Sequence, residues 1–174
     1  SPNPSSLIKA ESVTPTQAEK LLMDREYDKA IAVLEDLIGK NPDDIRALEI
    51  LSRVYFMGTY YQAKNGIGDS VAHRDPERSR DMLRRLAALE PNRERLSALA
   101  TVCMRLGDRA GAAEAYRMMV DLGCADGAAL GFLAYHALTS EDDHQQALAY
   151  LEQARLRVDN TWEAVTLCGL HVLT

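Results

Sequence analysis

The 174-residue chain has a length typical of one domain, and 47% hydrophobic residues are enough for a sizeable core. Its 20 basic and 26 acidic residues leave a net charge of −6, which argues against nucleic acid or an anionic membrane as a partner, since both need a basic surface. No apolar run is long enough to insert into a bilayer, no signal-peptide core is present, and three scattered cysteines form neither a disulfide framework nor a zinc site.

In chain order, residues 1–12 are predicted to be a flexible linker, because they open with serine, proline and asparagine. The first helix is expected to begin at Thr14, with Pro15 at its first position and Gln17 completing a capping box. Apolar residues then recur at three- and four-residue steps, which predicts helices almost to the end. Predicted helix ends lie at Gly39 with Asn41-Pro42, at Glu90-Pro91, at Leu106-Gly107 and at Leu122-Gly123. No alternating β-branched or aromatic run indicates a strand, so either a helical bundle or a helical solenoid is expected.

An internal repeat decides between these two architectures. Four helices carry the same quartet, in which large residues surround one small residue, and the second and fourth quartets follow the first and third by 34 positions. The quartets are Thr14-Gln17-Ala18-Leu21, Leu48-Leu51-Ser52-Tyr55, Leu96-Leu99-Ala100-Cys103 and Leu130-Leu133-Ala134-Ala137. A bundle could imitate one such unit by chance, but the period shared by two pairs of units favours a solenoid.

The second helices of the units repeat as well, and the whole pattern resembles the tetratricopeptide repeat (TPR), W-x₂-L-G-x₂-Y, then A-x₃-F, then P. The third unit matches best, with Leu106-Gly107-Asp108 followed by Ala112 and Tyr116. The chain departs from this pattern at two kinds of position. The first tryptophan is replaced by Thr14, Leu48, Leu96 and Leu130 in the four units, and the prolines of the last two units are replaced by Cys124 and Asp159. The resemblance implies an all-α protein, a right-handed α-solenoid of helix-turn-helix repeats.

This resemblance predicts one TPR-like domain over residues 13–174. Its units are expected at about 13–44, 45–92, 93–126 and 127–160, followed by a C-terminal helix at 161–174. The second unit contains an insertion at 58–74, about fifteen residues beyond the repeat period. Tyr60-Tyr61-Gln62-Ala63 is expected to prolong the preceding helix, and Asp75-Pro76-Glu77 to begin the next one. The insertion is either a surface loop or an arm over a binding groove.

The resemblance further implies that partners bind in a concave groove lined by the first helix of each unit, at positions beside the packing quartets. These positions are Arg46, Glu49, Arg53, Phe56, Met57, Thr101, Met104, Arg105, Tyr135 and Leu138. Methionine adapts to varied partners, and arginine binds carboxylates through two hydrogen bonds. Alternatively, Phe56 and Met104 only pack between neighbouring units. Some TPR proteins hold a chaperone's acidic C-terminus with a Lys/Asn/Arg clamp, but Pro15, Glu19, Glu49, Ser97 and Thr101 occupy most of those positions, so this mode is not expected.

The sequence contains no motif for catalysis, a cofactor or a metal. Neither a phosphate loop, a dinucleotide loop nor a Gly-x-Ser-x-Gly elbow occurs. His136 and His144 flank Asp142-Asp143, and a surface turn explains this cluster better than a metal site. Cys103 occupies a packing position rather than a reactive one. No enzyme activity and no cofactor are therefore predicted.

The predicted function is a non-catalytic scaffold that binds a peptide or partner helix. Two narrower alternatives remain. One is the soluble domain of a membrane-tethered assembly factor, similar to cytochrome c maturation proteins in its irregular second unit. The other is a secretion chaperone. Three unpaired cysteines favour the cytoplasm over the periplasm, where the domain of a membrane-anchored protein would lie. The frequent alanine, arginine and leucine are typical of a bacterial protein.

The predicted C-terminal helix, 161–174, either caps the last unit or buries its apolar side chains against another chain or a further part of the protein. In the second case the chain forms a homo-oligomer through this helix. Replacing Leu170 and Leu173 with polar residues is then expected to reduce self-association without unfolding the chain. Analytical ultracentrifugation measures this, and a strict monomer at high concentration before substitution contradicts the prediction.

Overall fold

The computed structural model describes residues 13–62 and 69–156, which form eight helices and two short strands. The helices are α1 (Pro15–Met23), α2 (Tyr27–Lys40), α3 (Ile45–Met57), α4 (Pro76–Leu89), α5 (Arg93–Arg105), α6 (Arg109–Asp121), α7 (Gly127–Ser140) and α8 (His144–Leu156). The strands are β1 (Thr59–Gln62) and β2 (Asp69–Ala72). The chain divides between Asp75 and Pro76 into two compact units. The predicted linker 1–12 and C-terminal helix 161–174 lie outside the described residues.

In the first unit, α1 packs on α2 and on α3, and α2 packs on α3. The predicted capping box of α1 is confirmed, because the Gln17 backbone N–H donates to Thr14 Oγ1 at 3.4 Å and the Thr14 N–H donates to Gln17 Oε1 at 3.3 Å. Ala18, Ala30 and Leu34 are fully buried where these helices meet. Small residues at these contacts let the helix backbones approach closely.

The insertion begins with a β-hairpin rather than a helix. Helix α3 ends at Met57, because the following Gly58 has φ 72° and ψ −177°, a conformation open almost only to glycine. Strand β1 then pairs antiparallel with β2, from Thr59 opposite Ala72 to Gln62 opposite Asp69. The prediction that Tyr60-Tyr61-Gln62-Ala63 prolongs the helix is therefore wrong for its described residues, as is the predicted absence of strands. The glycine stops the helix, and the β-branched and aromatic residues after it favour a strand.

Hydrogen bonds attach the base of this hairpin to the helices. Thr59 Oγ1 lies 2.7 Å from His73 Nδ1, and His73 Nε2 lies 2.8 Å from the Asp28 carboxylate in the first turn of α2. Arg74 donates to the Met57 carbonyl at 3.3 Å, and the Asp75 N–H donates to the Tyr55 carbonyl at 2.9 Å. The base of the hairpin is thus attached to α2 and α3 of the first unit.

In the second unit each helix packs on the next one, from α4 to α8. Helix α4 begins at Pro76, as predicted. Side chains of Asn92, Asp108 and Asp126 cap the N-termini of α5, α6 and α7 by accepting hydrogen bonds from backbone N–H groups. The predicted ends of α5 and α6 are confirmed, since Gly107 and Gly123 follow them with φ of 72° and 69°.

The packing quartets form the core of both units. Every member of the second, third and fourth quartets is buried, with at most 5% of its surface exposed. In the first quartet only Ala18 is buried in this way: Thr14 and Gln17 are exposed and form the helix cap, and Leu21 is half-buried. The repeat seen in the sequence therefore corresponds to a repeated set of core contacts.

The Gly58→Ala variant is expected to lose more than about 2 kcal/mol of unfolding free energy. The added Cβ would lie 2.5 Å from Val71 Cγ1 and 2.9 Å from the Ala72 carbonyl oxygen, in addition to the strain at φ 72°. Gly107→Ala is the matched control, since its φ is also 72° but no atom lies within 4 Å. It is expected to lose only about 1 kcal/mol. Urea unfolding measures both, and equal losses contradict the close packing inferred at Gly58.

Candidate protein-binding surfaces

The five predicted groove residues of the first unit lie on the side of α3 that stays outside the core. Arg53 and Met57 are exposed, and Met57 keeps 52% of its surface accessible. Glu49 and Phe56 are half-buried, and Arg46 is exposed. The structure thus brings these five residues together on one helix face, which we call the α3 face.

Two of these residues are held in ion pairs. Arg46 pairs with Glu19 of α1 and lies 3.8 Å from the Glu49 carboxylate. Exposed pairs of this kind contribute little to stability, but they fix the arginine and balance its charge. Arg53 is exposed and has no ion pair within the described residues of its unit.

In the second unit, Thr101, Met104 and Arg105 lie on the outer side of α5. Met104 is exposed to 43% and Arg105 is exposed as well. The Thr101 hydroxyl donates to the Ser97 carbonyl at 2.8 Å within the helix, so it does not need a partner. Helix α7 contributes Tyr135, exposed to 42%, and the half-buried Leu138. Apolar side chains therefore remain accessible on both first helices of this unit.

The structure also shows an aromatic cluster that the sequence-based assignment did not contain. The guanidinium carbon of Arg109, the first residue of α6, lies 5.2 Å from the ring centre of Tyr135 and 6.0 Å from that of Phe132. Phe132 packs against Tyr116 at 5.2 Å and stacks on His136 at 6.0 Å. The spacing of Phe132, Tyr135 and His136, three and four residues apart on one helix face, is the signal that could have revealed it.

Asp108 organises the turn before α6. Its carboxylate accepts from the Gly111 N–H at 2.8 Å and binds Arg84 at 3.0 Å, and it lies 3.8 Å from Arg80. Gly111 makes this arrangement possible, because a Cβ there would lie 2.5 Å from Asp108 Oδ2. The Asp108 carboxylate therefore binds these groups rather than Arg109, the residue that directly follows it.

A cavity of about 260 Å³ lies between α4 and α6, the second helices of successive repeats. Its wall is mostly apolar and includes none of the ten predicted groove residues. The lining residues are Arg84, Ala87, Ala88, Leu99, Gly111, Glu114, Ala115 and Met118.

The residues considered for chemistry do not converge on one site. Cys103 is fully buried, and burial raises the pKa of its thiol, as does the nearby Asp108 carboxylate. His136 is buried in the aromatic cluster, whereas His144 is exposed. Within residues 13–62 and 69–156, no three His, Cys, Asp or Glu side chains are placed to hold a metal ion.

Of the helices formed by the described residues, none has the length and apolar character needed to cross a bilayer. No protein-family model and no curated protein matches the sequence.

The structure is similar to solved structures of MamA, a helical solenoid of TPR-like repeats. MamA AMB-1 matches with a TM-score of 0.55 and 16% identity, over 86% of this chain and 74% of that chain. A MamA mutant matches with a TM-score of 0.54 and 16% identity, over 83% of this chain and 75% of that chain. A further crystal structure of MamA matches with a TM-score of 0.51 and 17% identity, over 79% and 71%. These similarities confirm the predicted fold class, an α-solenoid of TPR-like repeats.

Cys103 is expected to react with a thiol reagent only when the second unit unfolds. Its thiol is buried and its raised pKa leaves even less thiolate at neutral pH. Cys124, which is half-buried, is the internal comparison. Alkylation followed by peptide mass spectrometry measures both sites, and labelling of Cys103 as fast as Cys124 in the native protein contradicts this prediction.

Proposed function

We propose that the chain is a non-catalytic scaffold that binds a peptide or a helix of a partner protein on the outer faces of its first helices. The observation that carries this proposal is that the first helices expose large apolar side chains beside their buried packing residues. Met57, Met104 and Tyr135 keep 52%, 43% and 42% of their surfaces exposed. Such side chains have no role in the core, and each lies at a position predicted to line the groove.

The chemistry of these faces supports binding of protein rather than of a charged polymer. Methionine, tyrosine and arginine are the residue types enriched in protein interfaces, where a few of them supply most of the binding energy. Methionine also adapts its shape to different partners. The fold shared with MamA is one that presents extended surfaces for binding, and the site residues, rather than the fold, carry the functional argument.

Two observations support the non-catalytic part of the proposal. Cys103 is buried with a raised thiol pKa, which is the opposite of an activated nucleophile. His73 lies between the Thr59 hydroxyl and the Asp28 carboxylate, but Thr59 is buried, with 5% of its surface exposed, so its hydroxyl is out of reach of a substrate and the three residues hold the hairpin in place. The assembly factor and the secretion chaperone are narrower forms of the same binding function and stay predictions.

The experiment is selection of binders from a phage-displayed library of random dodecapeptides on the immobilised chain. The selected peptides are then synthesised and titrated against Met104→Glu, which places a charge in the binding face. The Kd is expected to rise about tenfold or more, as for a residue at the centre of an interface. Because Met104 is exposed, the melting temperature is expected to change little.

Leu148→Glu is the matched control, because Leu148 is a similarly exposed side chain, at 42%, on the second helix α8. It is expected to leave peptide affinity unchanged. Failure to select any peptide above background overturns the proposed function. If Met104→Glu does not weaken binding, or if Leu148→Glu weakens it equally, the assignment of binding to the faces of the first helices is wrong.

A further inference from the structure

We propose that Arg109, which lies over the ring of Tyr135, is a specificity anchor that binds the carboxylate of an aspartate or glutamate in the partner peptide, beside an apolar side chain that contacts the aromatic surface. This inference rests on the proposed function and names the partner chemistry that one part of the binding face selects.

The aromatic cluster holds the guanidinium of Arg109 in place. It lies 5.2 Å from the ring centre of Tyr135 and 6.0 Å from that of Phe132, distances at which a cation is attracted to a ring. Phe132 is itself supported by Tyr116 and His136. A guanidinium has five N–H donors in a fixed fork that matches a carboxylate. Among the described residues, no carboxylate lies within ion-pair distance of Arg109, so these donors are available to an anion while the rings hold the side chain in place.

Arg109 has no carboxylate partner among the described residues, unlike several other arginines of the second unit. Five of them lie within 4 Å of at least one carboxylate: Arg80, Arg84, Arg93, Arg95 and Arg117. In the part of the chain that the structure describes, the contacts of the exposed Arg109 side chain are those with the two rings. Its charge is available to a partner.

Three carboxylates close in sequence to this cluster are already engaged. Asp108 binds Arg84 and caps α6, while Asp126 binds Arg93 at 3.2 Å and caps α7. Glu141, at the C-terminal end of α7, pairs with Arg117. Helix α7 itself, Gly127–Ser140, contains no acidic residue and no lysine or arginine. The residues of α7 beside Tyr135 thus carry no carboxylate that could balance the charge of the Arg109 guanidinium over its ring.

This combination fits a short peptide motif of an acidic residue next to an apolar one. The carboxylate would accept two hydrogen bonds from the Arg109 edge, and the apolar side chain would cover the exposed part of Tyr135, 42% of its surface. The net charge of −6 disfavours nucleic acid as the source of the anion, because a phosphate backbone would be repelled by the rest of the chain.

The test uses the dodecapeptide library on the full chain. Selected peptides are expected to contain aspartate or glutamate beside an apolar residue more often than the unselected library does. For a selected peptide, Arg109→Gln is expected to raise the Kd about tenfold, the loss expected for one charge-assisted hydrogen-bonded pair. Arg109→Lys keeps the charge but not the planar edge, so it is expected to restore only part of the affinity.

A double-mutant cycle separates recognition from a structural role. Replacing the peptide glutamate with glutamine should weaken binding to the original chain about tenfold but have little further effect on Arg109→Gln, because both changes remove the same contact. Arg155→Gln is the matched control, since Arg155 is exposed in the last turn of α8 and has no ion pair among the described residues. It is expected to leave the Kd unchanged. Circular dichroism and melting establish that all variants are folded.

The outcomes distinguish the two proposals. If no peptide is selected, the proposed function fails and the anchor fails with it. If peptides bind but show no acidic enrichment, or bind Arg109→Gln as tightly as the original chain, the anchor alone is overturned. Additive effects in the cycle would also overturn it, because Arg109 would then act without contacting the carboxylate.

Discussion

The close approach of neighbouring helices is the constraint on which the rest of this structure depends. Each first helix presents one small residue at the third quartet position, and these residues are buried: Ala18, Ser52, Ala100 and Ala134. Each second helix does the same with Ala30, Ser79, Ala112 and Ala147. Small side chains let the backbones approach, so the leucines beside them can interlock. This packing leaves Met57, Met104 and Tyr135 exposed on the first helices, and the proposed function rests on these side chains.

The aspartates that cap helices in the second unit have a second role. Asp108 caps α6 and binds Arg84 of α4, and Asp126 caps α7 and binds Arg93 of α5. Partly exposed pairs such as these contribute at most about 1 kcal/mol each, but they determine which arginines keep an unbalanced charge. Arg109 directly follows a cap that is already occupied, so its guanidinium is held by aromatic rings instead.

The local features were predictable from the sequence, whereas features that depend on distant contacts were not. The quartets, the capping box at Thr14 and the turns at Gly107 and Gly123 are short-range patterns, and all were recognised. The hairpin was missed because a strand needs a partner: Thr59 pairs with Ala72, thirteen positions away, a register that no local pattern reveals.

The Arg109 cluster was missed for a related reason. The groove positions were assigned from first helices only, by analogy with the repeat family. Arg109 is the first residue of a second helix and reaches Tyr135 on the next first helix only after α6 and α7 have packed together. The exposed methionines Met57 and Met104 were found because they follow the last quartet residue by two positions and one position, and the helical period turns such positions away from the quartet.

The hairpin also gives a physical basis to one of the two interpretations of the insertion. Its first strand begins two residues after Met57, the last residue of the α3 face, and Arg74 after its second strand donates to the Met57 carbonyl. The Asp28 carboxylate can only accept a hydrogen bond, so His73 Nε2 carries the proton in that pair, and Nδ1 meets the Thr59 hydroxyl. These contacts fix the base of the hairpin to α2 and α3. Under the proposed function, the hairpin would act as an arm that continues the α3 face, since a partner lying along this helix toward Met57 would next meet a backbone already held in place.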